Sequence, residues 1–164
     1  MSAVSFTLKA SVRRNAADAI PGPGEGTNLK YLCATKSVTA RTAGHTMKIA
    51  TLPSSARLAG NSLVSWDDIA STGSPTLDAG IAANSDPSNA YTADPDALTD
   101  GLDLATAAGT AKLIKDHANY GKTLWELFGL TEDPKIPLDI YVSFVDANTN
   151  VTGDVTVELF YFFD

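Results

Sequence analysis

Residues 85–111, SDPSNAYTADPDALTDGLDLATAAGTA, hold Asp86, Asp94, Asp96, Asp100 and Asp103 and neither lysine nor arginine. Several carboxylates on one loop can capture a hard cation such as calcium, whose shell is built from oxygen ligands. Two of them could also serve as the acid and base of a glycosidase. A plainer account covers most of these residues. Asp-Pro at 86/87 and 94/95 and Asp-Gly at 100/101 are turn-initiating pairs, because the aspartate carboxylate bonds nearby backbone amides and glycine accepts a positive φ. The stretch therefore reads as a long crossover between two strands, returning to regular structure at GLDLATA, with its aspartates as turn formers rather than metal ligands.

Other candidate motifs weaken on inspection. DHANYGKTLWELF sets Gly121, Lys122 and Thr123 before a helical segment, as the second half of a phosphate-binding loop does, and AKLI could supply the strand before it. Asp116 stands where that loop needs glycine, and its charge would face phosphate oxygens. The alternation of strand and helix that builds a parallel sheet is also missing. Gly-Lys-Thr is thus a turn and helix start. DANTNVTGD spaces Asp146, Asn148 and Asn150 by two, as a calcium loop does, but Val151 occupies the glycine position and Val157 the position of the closing glutamate. Asn150-Val151-Thr152 matches a glycosylation acceptor by pattern alone.

His45 and His117 are the only histidines, both in polar, turn-like contexts, and neither a Gly-x-Ser-x-Gly elbow nor a His-Glu-x-x-His run exists. Trp66 and Trp125 read as core or interface anchors rather than sugar platforms. No catalytic residue, resident metal or cofactor is expected, and the chain reads as a non-enzyme.

The elements that must position these residues are mainly strands. In DIYVSFVDANTNVTGDVTVELFYFF, Ile140, Val142 and Phe144 alternate with Tyr141, Ser143 and Val145, and Val155, Val157, Leu159, Tyr161 and Phe163 alternate with Thr156, Glu158, Phe160 and Phe162. Period two over β-branched and aromatic runs predicts two strands, and the Asp/Asn/Gly stretch between them predicts a hairpin. Phe160 and Phe162, opposite the main apolar set, predict cover on both faces near the strand's end, by a second sheet or a subunit interface. NLKYLCATKSV, TMKIATLP, NSLVSWDDI, PTLDAGIA, LDLATA and AKLIKD are short runs between Gly, Pro, Asn and Ser clusters, the spacing of an all-β sandwich or barrel. One short helix is predicted in GKTLWELFGL, with Leu124, Leu127 and Phe128 on one face and Gly129 as its stop. MSAVSFTLKASVRR alternates Val4, Phe6, Leu8, Ala10 and Val12 and could add a strand. NAADAIPGPGEGTN behind it reads as a linker, so residues 1–28 form an N-terminal arm and residues 29–164 the sandwich domain.

The 164 residues are enough for one core without disulfides, and Cys33 is alone. The formal charge of -7 argues against nucleic acid or an anionic membrane as partner. No window approaches the roughly 20 apolar residues of a membrane span, and the N-terminus lacks a signal-peptide pattern, so synthesis in a cytoplasm is expected. The charge is unevenly placed. Residues 1–57 sum to +6, residues 58–111 to -8 and residues 112–164 to -5. A basic third beside an acidic remainder suits contacts between neighbouring copies, or with another acidic surface.

Taken in order, a Leu-Pro strand end in MKIATLP, the ARLAGNSL and TLDAGIA strands, an Asp-rich insertion closing on GLDLATA, and then LDIYVSFVDA…TGDVTVELFY resemble small virion structural proteins of tailed bacteriophages. The resemblance covers about residues 29–163. It implies a jelly-roll-like antiparallel β-sandwich present in many copies on the particle, a capsid decoration or cement protein without an active site. The implied partner is the major capsid protein, and the implied assembly a homo-oligomer, a trimer before a dimer, on the capsid surface of the virion. Lys9, Arg13 and Arg14 of the arm, with Phe160 and Phe162, are the candidate contact residues. The alternatives are a tail or head-to-tail connector protein, or a host-surface or carbohydrate-binding virion module, whose eligible loop aromatics would be Tyr91 and Tyr120.

Overall fold

A computed structural model of the chain describes residues 29–87, 90–105, 108–145 and 149–162. The strands are β1 (Lys30–Arg41), β2 (Thr46–Pro53), β3 (Arg57–Leu58), β4 (Leu63–Trp66), β5 (Ala70–Thr72), β6 (Thr76–Ile81), β7 (Asp94–Asp103), β8 (Gly109–Lys112), β9 (Pro137–Phe144) and β10 (Thr149–Phe162). They form two antiparallel sheets. One runs β1-β10-β4-β8, with β3 and β5 also pairing β10, and the other runs β2-β9-β6-β7. This is the all-β sandwich with one short helix that the alternation predicts. The predicted arm, with Lys9, Arg13 and Arg14, lies outside the described residues.

Inward-facing apolar residues of both sheets make the core. Leu138, Ile140, Val142 and Phe144 of β9, Leu77, Ala79 and Ile81 of β6, and Val151, Val155, Val157 and Leu159 of β10 are all buried. On β2 the register slips between Lys48 and Ala50, so Ile49 and Ala50 are both buried where strict alternation would expose one of them. Burying side chains of this size stabilises by about 1.5–3 kcal/mol each before chain entropy is counted.

The last two strands form as read, but they are not a hairpin. β9 pairs β2 and β6, whereas β10 pairs β1, β3, β4 and β5. The chain crosses from one sheet to the other between them. Both strands turn one apolar face inward, and stacking in opposite sheets lets those faces meet across the core. β10 also begins earlier than its apolar pattern suggests, at Thr149. Asn150 and Val151 of the calcium-like stretch therefore belong to a strand, while Asp146 and Asn148 lie outside the described residues.

The Asp-rich stretch is the second correction. Asp94, Asp96, Asp100 and Asp103 lie within β7, a ten-residue strand, and not in a crossover loop. β7 is the last strand of its sheet, paired only with β6. An edge strand tolerates charge, proline and glycine because one side of its backbone has no ladder to maintain. Leu98 and Thr99 are buried, whereas Asp96, Asp100 and Asp103 are exposed.

The helix α1 (Leu124–Leu127) is short and well specified. Thr123 and Glu126 form a capping box, the Thr123 backbone N–H donating to the Glu126 carboxylate at 2.8 Å. Leu124 N–H and Trp125 N–H donate to the Ala56 and Ser54 carbonyls, so the helix start is docked on the β2–β3 connection. Leu124, Leu127 and Phe128 are buried, and the turn ends at Gly129, whose φ is +64°. Asp116 accepts from Ala118 N–H and opens the 3-10 turn His117–Asn119, a local capping role in place of any phosphate loop.

Candidate binding surfaces

The outer face of the six-stranded sheet can be built row by row from its register. Thr35, Thr156, Ser65 and Thr110 stand in line across β1, β10, β4 and β8. Their hydroxyls pair as Thr35–Thr156 at 2.9 Å and Ser65–Thr110 at 3.1 Å. Cys33, Glu158, Leu63 and Lys112 form the next row, and Tyr31 and Phe160 the row after that. Continuing the same register sets Leu29 beside Phe162, which pairs Arg57 on its other side.

This end of the face is apolar. The Tyr31 and Phe160 rings approach to 4.9 Å between centroids. Leu29 and Tyr31 are 58% and 56% exposed, while Phe160 and Phe162 are half-buried. The expectation of cover on both faces is thus met inside by the core and only in part outside. The Tyr31 hydroxyl donates to Glu158 at 3.2 Å, and its phenol is pushed up to about 12 by a hydrogen bond with Cys33, burial and the Cys33 and Glu158 charges.

The strand end beneath these rings is held firmly. Ala59 N–H donates to the Phe160 carbonyl at 2.7 Å, and the buried Ser62 hydroxyl accepts from Phe160 N–H and donates to its carbonyl. The Tyr120 ring lies over Gly60 in the same connection, where an added Cβ would meet it at 3.1 Å. Of the sequence-predicted contact residues, the structure brings Phe160 and Phe162 together here. It adds Leu29 and Tyr31, which sequence reasoning missed although they occupy alternate positions in NLKYLCATKSV.

The acidic strand β7 carries no cation of its own. Burial, followed by a hydrogen bond to Asp96 and the Asp96 charge, raises the Asp94 pKa. Asp103 accepts from Ala105 N–H at 2.8 Å, local turn bonding by an aspartate carboxylate, whereas at Asp86 it is the backbone N–H that donates, to the Asn84 side chain, so Asn84 is the turn former there. Among the described residues no group of three or more His, Cys, Asp or Glu side chains is arranged to hold a metal ion.

Tyr91 is pinned by reciprocal backbone bonds with Asn84, 3.0 Å each way, and packs half-buried against the core. It lines two shallow concavities of about 290 and 220 Å³, the second shared with Asp139 and Tyr141. Asp139 is committed to Lys48 at 2.6 Å and to the Thr51 hydroxyl at 2.6 Å. Tyr120 tilts against His117, 5.0 Å between centroids. Tyr91 is thus engaged within the fold, whereas Tyr120, packed on His117 and Gly60, stays 37% exposed. No helix among the described residues is long and apolar enough to cross a membrane.

The architecture defines an antiparallel β-sandwich of two stacked sheets with exposed edges and one apolar outer corner. A solved chain described as the cyanophage Pam1 capsid asymmetric unit shares this fold. It matches with a TM-score of 0.58 over 89% of this chain and 92% of that one, at 18% sequence identity. No protein-family profile and no curated protein sequence matches the chain.

Proposed function

We propose that the chain is a structural protein of a tailed-bacteriophage virion that decorates the capsid, binding the lattice of the major capsid protein and cementing the head. One observation carries this reading: Leu29, Tyr31, Phe160 and Phe162 form an exposed apolar corner on a sandwich whose fold a phage capsid chain shares. Apolar side chains gathered at one surface corner mark a docking site rather than a solvated face. Leu29 also directly follows residues 1–28, where Lys9, Arg13 and Arg14 would add basic contacts to an acidic patch on the capsid. Many such modest contacts, repeated over a particle, multiply into firm attachment. The chain acts by binding, as a homo-oligomer, and not by catalysis.

Co-sedimentation with purified heads tests the reading. Leu29→Ser with Tyr31→Ser, both at exposed positions, weakens binding by about tenfold or more if the corner is an interface hot spot. Lys9→Glu, Arg13→Glu and Arg14→Glu together weaken it and reduce its salt dependence. A wild-type chain that stays in the supernatant removes the reading, and copies seen by electron microscopy only at the tail or portal assign it to the connector class instead.

A further inference from the structure

We infer that copies of this chain associate head to tail, the basic sheet edge formed by β1 of one copy lying against the acidic sheet edge formed by β7 of the next. The inference does not depend on the capsid reading. It begins with the order of strands. β1 and β7 are edge strands of different sheets, and β1 comes against β2, the edge of the second sheet opposite to β7. The short connection agrees, since residues 42–45 join β1 to β2.

The two edge strands differ in charge. β1 carries Lys30, Lys36 and Arg41 with no carboxylate. β7 carries Asp94, Asp96, Asp100 and Asp103 with no cation. A two-fold contact of β1 with β1, or of β7 with β7, would set like charges against each other. Only β1 against β7 sets opposite charges together. The crowding of Asp94 by Asp96 points the same way, because an incoming cation relieves it.

Each edge is a strand paired on one side only, β1 with β10 and β7 with β6. β7 is unsuited to extending a continuous ladder. Pro95 has no N–H to give, and its register breaks twice along β6. The contact is therefore one of side chains across two edges. Because the paired surfaces sit on opposite flanks, the association is heterologous, and it closes into a ring or continues as a chain.

Charge reversal tests this with the full-length protein, using solution mass against the 17.1 kDa of one chain. At about 0.01 M ionic strength, where the Debye length is about 30 Å, the wild type is expected to exceed one chain's mass, and at about 1 M, with about 3 Å, to fall toward it. Lys36→Glu with Arg41→Glu reverses one edge, and Asp96→Lys with Asp100→Lys the other. Each variant alone is expected to associate at least about tenfold more weakly, and the chain carrying all four to recover association. Melting curves on the same samples show that the variants are folded. The neutral set Lys36→Gln, Arg41→Gln, Asp96→Asn and Asp100→Asn serves where a reversal is not tolerated, with weakened association expected. A wild type that stays monomeric at low ionic strength, single-edge variants that associate as it does, or a folded four-fold variant that stays monomeric overturns the inference. None of these results bears on co-sedimentation with heads.

Discussion

Replacing Gly80 by alanine should injure this fold far more than its size suggests. An added Cβ would lie 2.0 Å from the Asp94 carbonyl oxygen and 2.6 Å from the Pro95 carbonyl carbon, both backbone atoms of β7. Ordinary contact begins near 3.4 Å, so β7 must retreat by 1.4 Å, with no flexible side chain to absorb the change. Moving a strand that far from a neighbour about 4.8 Å away breaks the ladder between Ile81 and Asp94. Overpacking usually costs about 1–3 kcal/mol, and the clash here falls on backbone, so a loss of about 3 kcal/mol is expected. At about 2–4 °C per kcal/mol for a chain of this size, the melting temperature should fall by about 6–12 °C. Gly44→Ala is the control. Nothing lies within 4 Å of its added Cβ, and only the strain of a φ of +81° remains, about 1–2 kcal/mol. Calorimetric melting of both variants decides the matter. If Gly80→Ala melts with or above Gly44→Ala, the close approach of β7 to Gly80 is wrong, and with it the placement of the acidic edge.

Two further outcomes follow from single residues. Thr99 is buried on β7, and its hydroxyl finds no hydrogen-bond partner among the described residues. Thr99→Val removes an unpaired buried oxygen at nearly constant shape, so the melting temperature should hold or rise, and a fall beyond about 4 °C, roughly 1 kcal/mol, would contradict it. The His45 pKa is lowered below 6.5 by burial and then by Arg41. Folding therefore disfavours its protonated form, so its contribution is fully present above pH 6.5 and is lost as pH falls through the window down to the folded value. His45→Gln should flatten that part of the stability-versus-pH curve, measured by denaturant titration, and an unchanged slope would refute the assignment.

The alternation of β9 and β10 and the Leu124/Leu127/Phe128 face were legible because local physics decides them. Side chains alternate along any strand, and the Thr123/Glu126 box closes within one turn. Pairing was not legible. Two apolar-alternating strands joined by a polar link read alike whether they hydrogen-bond to each other or stack in opposite sheets, and only the whole topology separates β9 with β2 and β6 from β10 with β1 and β4. Leu29 and Tyr31 escaped notice for a related reason. Their apolar character becomes a surface feature only once β10 lays Phe160 and Phe162 beside them.

The Asp-rich stretch shows the same ambiguity from the other side. Asp-Pro and Asp-Gly announce turns, yet an edge strand also accepts proline, glycine and alternating charge, since half of its backbone faces no ladder. What the sequence could not supply was direction in space. A sum of +6 over residues 1–57 and -8 over residues 58–111 is compatible with charges that meet inside one molecule or stand apart on it. The strand order separates them, because β1 meets β2 while β7 stands at the opposite edge of the sheet that β2 begins. A sandwich about 10 Å from sheet to sheet and four strands wide then keeps its basic and acidic edges beyond a Debye length of about 8 Å at physiological salt. Within one copy the two edges scarcely attract. Between copies brought edge to edge they do, and the asymmetry first visible along the chain becomes a reason for one copy to meet the next.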